Sequence, residues 1–108
     1  MKEINLEDAV TRSLAIRKLY HELELEHHGA EWSVQEDALA FLTDAGLVGR
    51  LTMAQQGRWP KGDKPENELS HKLGESIWWL IILADRMDID IKTALDGFLS
   101  RTEKLLKK

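Results

Sequence analysis

Apolar residues return every three or four positions along most of this chain, and strict alternation persists nowhere, so the pattern predicts helices and no strands. A first helix is predicted over 6–26. Leu6, Val10 and Leu14 repeat at four-residue spacing, with Ala9, Ser13, Ile16, Tyr20 and Leu23 on an adjoining stripe. Asn5 supplies an N-cap, Glu7 and Asp8 face the positive end of the helix dipole, and Gly29 is a natural left-handed terminator. Ser33-Val34-Gln35-Glu36 is a capping box that opens a second helix, running to Gln55 or Gln56 with Gly57 just past its end. Its faces are Leu42, Ala45, Gly49 and Thr52 on one side and Phe41, Val48 and Leu51 on another. Gly46 and Gly49 inside it cost about 1 kcal/mol each against alanine, which calls for close helix packing or room for a ligand.

The only prolines, Pro60 and Pro65, stand in a basic loop over 57–65 that carries Arg58, Lys61 and Lys64. A third helix is predicted over 66–87, with Asp63 as its candidate cap. The stretch from Ile77 to Ala84 is apolar around the whole circumference and needs cover on several sides. Asp90 caps a fourth helix striped by Ile91, Ala94, Leu95, Phe98, Thr102 and Leu105. The expected architecture is an all-α four-helix bundle in a single domain over 1–108, with a homodimer interface on the third helix.

Composition narrows the function. The chain has 108 residues, 43% hydrophobic and 31% charged, which suits one core. A net charge of −4 gives no global attraction to nucleic acid or anionic lipid, so no general nucleic-acid binding is expected. The absence of cysteine excludes disulfides, thiolate metal sites and cysteine nucleophiles. No apolar run is long enough to cross a membrane, and the polar, acidic N-terminus is unlike a leader peptide, so a cytoplasmic protein is expected.

Helix bundles hold metals through carboxylates that project inward at i, i+3 spacing. Asp44 and Glu75 are the acidic residues embedded in apolar mid-helix sequence, where a carboxylate is costly unless it is paired or swings out to water. They are expected to face each other across the second and third helices. His71, one turn before Glu75, is a further candidate ligand, and Glu68 could add a carboxylate at the rim. Trp32 and Trp59 are candidates for base stacking, and Arg58 and Lys61 for meeting phosphates, against the plainer readings of packing and a solvated loop. Trp78 and Trp79 read as packing residues.

Several segments resemble the MazG-like nucleotide pyrophosphohydrolases. They are the tryptophan before a capped helix, Thr43-Asp44-Ala45-Gly46-Leu47-Val48, and Met53-Ala54-Gln55-Gln56-Gly57. Leu69-Ser70-His71-Lys72-Leu73-Gly74-Glu75-Ser76-Ile77-Trp78-Trp79 and Leu83-Ala84-Asp85-Arg86-Met87-Asp88-Ile89-Asp90 complete the likeness, which spans 31–106. The resemblance implies an all-α bundle that forms a homodimer or a dimer of dimers. It also implies a Mg²⁺-dependent cleavage of nucleoside triphosphates to monophosphate and pyrophosphate. The family's E-E-x-x-E falls on Thr43 to Leu47, where Asp44 alone is acidic, and its E-x-x-D falls on Lys72 to Glu75, where Lys72 reverses a charge. Asp44 and Glu75 remain as metal positions, while Leu47 and Lys72 are degenerate. Two arrangements follow: Mg²⁺ held by the surviving pair, or no cofactor at all, with the Lys72 ammonium in the cation's place. The first is a weakened hydrolase. The second is a non-catalytic bundle for nucleotide sensing or protein pairing.

Overall fold

The computed structural model describes residues 3–60 and 65–107, and the described residues are helical apart from short connections. The helices are α1 (Leu6–His28), α2 (Val34–Gln55), α3 (Pro65–Arg86) and α4 (Ile91–Leu106). None of them is long and apolar enough to cross a membrane. Lys61, Asp63 and Lys64 of the basic loop lie outside the described residues.

The local signals act as the sequence implies. The Asn5 side chain accepts from the Asp8 amide at 2.8 Å. Ser33 and Glu36 close a reciprocal capping box, at 2.8 and 3.1 Å. Gly29 ends α1 at φ 75°, a backbone conformation that costs a β-carbon but not glycine. At the α3–α4 corner the same left-handed region falls to Asp88, at φ 58°, one of the few side chains that tolerate it. Asp90 then caps α4 through the amides of Lys92 and Thr93.

Packing centres on α2 and α3, which run antiparallel. Asp37 bonds Arg86, and Asp44 bonds Trp79, so moving up seven residues on α2 moves down seven on α3. Trp79, Ile81, Ile82 and Ala84 of α3 are buried together with Ala54 of α2. The apolar circumference of α3 is therefore only partly a free surface. Ile82 is fully buried within the protomer, while Leu73, Ile77 and Leu80 form an exposed stripe at i, i+4 and i+7.

Helix α1 leans on α3 through its lower half, with the Trp78 indole donating to the Ser13 carbonyl at 3.3 Å. Its other stripe, Ile16, Tyr20 and Leu23, is exposed. Helix α4 touches α3 sparsely and contains no buried residue. A β-carbon built on Gly46 or Gly49 would meet nothing within 4 Å. Those glycines are thus not explained by close packing inside the protomer. They sit on an exposed face of α2 with Leu39, Leu42 and Met53.

Candidate functional site

Lys72, Glu75 and Trp79 follow one another at i, i+3 and i+7 on α3, the spacing that keeps them on one face. That face is turned toward Asp44 of α2. Lys72 Nζ donates to Asp44 Oδ1 at 3.0 Å and to Glu75 Oε1 at 2.8 Å. Trp79 Nε1 donates to the other Asp44 oxygen at 2.8 Å. One ammonium therefore joins the two carboxylates, and both oxygens of Asp44 are satisfied. The Ser76 hydroxyl bonds the Lys72 carbonyl, one turn back.

The electrostatics follow from this geometry. Hydrogen bonds to Glu75 and Asp44 raise the Lys72 pKa above its ordinary 10.5, so the lysine is charged across the physiological range. Burial alone would push Asp44 up. The hydrogen bonds from Lys72 and Trp79 outweigh it and hold Asp44 below its ordinary 3.8. The cluster is a carboxylate pair neutralised in part by a covalently attached cation.

The expected facing of Asp44 and Glu75 is present, with Lys72 between them. His71 lies aside, its ring 74% exposed and its Nε2 3.8 Å from Glu75. Glu68 and Leu47 are exposed. Among the described residues, no three His, Asp or Glu side chains are grouped as a metal site would need.

The aromatic and basic candidates are dispersed. The Arg50 guanidinium lies 4.0 Å over the Trp59 ring, so one face of that indole is already stacked. Arg58 is exposed beside it in sequence. Trp32 is half-buried, and its backbone is held at both ends. Its amide donates to Glu24 at 2.8 Å, and its carbonyl accepts from Arg86 at 2.7 Å. The Trp32 ring lines a groove of about 990 Å³ between α1 and α3, whose wall includes Tyr20, Glu75, Trp78 and Trp79.

A second polar centre escaped the sequence reading. Asp37, wholly buried, accepts from Arg17 at 2.9 Å and from Arg86 at 2.8 Å. Arg17 also donates to Glu24 at 2.9 Å, and His21 Nδ1 lies 3.1 Å from the other Glu24 oxygen. Burial would raise the Glu24 pKa. The Trp32 amide, His21 and Arg17 together hold it below its ordinary 4.5. The signal was present in α1: the inward face of Leu6, Val10 and Leu14 continues at heptad spacing through Arg17, His21 and Glu24. Two arginines and two carboxylates balance here, which marks a structural clamp across α1, α2 and α3.

No protein-family model matches the chain, and neither the curated proteins nor the solved structures yield a significant match.

Proposed function

We propose that this chain is a MazG-like helical protein in which a lysine has replaced the metal ion, and that it works by binding and not by hydrolysis. The observation that carries this reading is the Lys72 ammonium, seated between Asp44 and Glu75 at 3.0 and 2.8 Å. These carboxylates stand at the positions where the resemblance expects Mg²⁺ ligands. Mg²⁺ needs several hard oxygen donors in near-octahedral array. Here two carboxylates remain, and each already accepts from the ammonium. A fixed positive charge about 4 Å from a divalent ion repels it by roughly 2–8 kcal/mol between water-like and protein-surface dielectric, before any lost ligand is counted.

In a working hydrolase the metal would polarise the phosphate chain and activate the attacking water. Lysine supplies charge without coordination sites and cannot do the second of these. The protein is read as a homodimer, because the exposed stripe of Leu73, Ile77 and Leu80 on α3 has no cover in one protomer.

Calorimetry with Mg²⁺ and Mn²⁺, with and without a non-hydrolysable nucleoside triphosphate, tests the site. The wild-type chain is expected to bind neither ion measurably and to release no pyrophosphate from triphosphates. The double variant Lys72→Glu with Leu47→Glu, which rebuilds both i, i+3 carboxylate pairs, is expected to bind Mn²⁺. Mg²⁺-dependent turnover by the wild type, lost in Asp44→Ala, would overturn the reading in favour of a hydrolase that needs only two carboxylates.

A further inference from the structure

A second cleft runs between α1, the α1–α2 connection and the end of α3, and it shares only Arg17 with the groove. His21 stands in it with its side chain 19% exposed. Its Nδ1 lies beside two carboxylates, 3.1 Å from Glu24 Oε1 and 3.9 Å from Glu31 Oε1. These acids differ in freedom. Glu24 is anchored, because Arg17 donates to one of its oxygens and the Trp32 amide to the other. Glu31 is 47% exposed and has water beside it.

The charges that face His21 decide what a proton does there. On α1 they are Arg17, Lys18, Glu22 and Glu24, on the connection Glu31, and on α3 Asp85 and Arg86. Arg17 and Arg86 are both paired with Asp37 of α2, and Arg17 also with Glu24. Once those pairs are set aside, Lys18 stands against Glu22, Glu31 and Asp85, so an added positive charge meets acidic surroundings.

We infer that His21 is a proton-operated latch on the corner between α1 and α2. Charged, it joins Glu24 to Glu31 and fastens the segment 29–32. Neutral, it keeps Glu24 and lets Glu31 go. Imidazole is the side chain whose charge ordinarily changes between about pH 5 and 8. A neutral ring carries one N–H, enough for Glu24 alone. Glu24, held below its ordinary value, stays ionised throughout that window. The fastening is therefore complete at the acid end of the window and is lost as the pH rises.

The latch reaches the groove through one residue. Trp32 follows Glu31 in the chain, rests its amide on Glu24, and lines the groove with its ring. A proton taken up in the second cleft thus steadies a wall of the first.

The experiment follows exchange of the Trp32 amide by NMR, corrected for its intrinsic pH dependence, with the His21 ring signals recorded in the same samples. Protection of this amide reports local opening of the corner. On acidification from about pH 8 to about pH 5 it is expected to rise about fivefold, the factor that one charge pair about 4 Å apart supplies at water-like dielectric. The rise is expected to track the His21 ring titration. His21→Gln keeps a donor for Glu24 but cannot become charged, and it should flatten the profile. Glu31→Gln, at an exposed position, should flatten it while His21 still titrates. His27, His28 and His71 remain in both variants, so a pH response of their own would survive there. Wild-type protection that does not change with pH would overturn the latch. So would a rise that persists undiminished in Glu31→Gln, a variant that decides the matter even if His21→Gln does not fold.

Discussion

Asp37 of α2 ties α1 and α3 together through a buried carboxylate. It has no contact with water, and both its oxygens accept from arginines of two different helices. Removing one partner of such a buried set leaves uncompensated charge, at a cost of about 3–5 kcal/mol. Asp37→Ala should therefore lose that much unfolding free energy, read from urea titration. Asp44, 13% exposed and shielded by Trp79, is the second point of this kind on α2. The pH dependence follows from the directions of the shifts. Glu24 and Asp44 are held below their ordinary values of 4.5 and 3.8, so what they add to stability is complete above those values and is lost on acidification below them. Lys72 is raised above 10.5, so its share is complete below that value and is lost only at still higher pH. From these groups, stability should be level from about pH 5 to 10 and fall below pH 4.5, which thermal melts across a buffer series would show.

At the scale of the element, α3 divides its circumference between two tasks. Trp79, Ile81, Ile82 and Ala84 serve the protomer, while Leu73, Ile77 and Leu80 are left outside. Ile82→Ala should cost about 2–5 kcal/mol in unfolding by denaturant, because the fully buried side chain leaves a cavity. A change on the outer stripe should cost the isolated protomer far less. Helix positions and caps were legible in the sequence, since Asn5, Ser33, Glu36 and Asp90 act through contacts within three residues. The pairing of Lys72 with Asp44 and Glu75 was legible too, because an embedded carboxylate demands a cation and a lysine stood at i−3. The Arg17, Glu24, Asp37 and Arg86 clamp was legible only in part: Arg17 and Glu24 continue the inward face of α1, but their partners Asp37 and Arg86 come from two other helices, which spacing within one helix does not reveal. The glycines of α2 suggested close packing, yet Gly46 and Gly49 face open space, since sequence does not say which side of a helix its neighbour takes.

For the molecule as a whole, the apolar set buried among the described residues, Ala54, Trp79, Ile81, Ile82 and Ala84, is small. A single protomer of this shape has little apolar burial to set against the entropy of ordering its chain. The homodimer we propose supplies the remainder, and its stability then depends on protein concentration. The melting temperature should rise measurably as the chain is diluted less, over a hundredfold range in calorimetry. A melting temperature independent of concentration would mean that one protomer suffices.

A bound metal comes and goes with its concentration in solution, whereas Lys72 arrives with the chain. Its ammonium is held at the carboxylates by the backbone of α3, at an effective concentration that no chelator can lower and no shortage of magnesium can empty. The charge balance between α2 and α3 is consequently fixed at synthesis. On the reading proposed above, the ionic state of that joint is set by the chain's own Lys72.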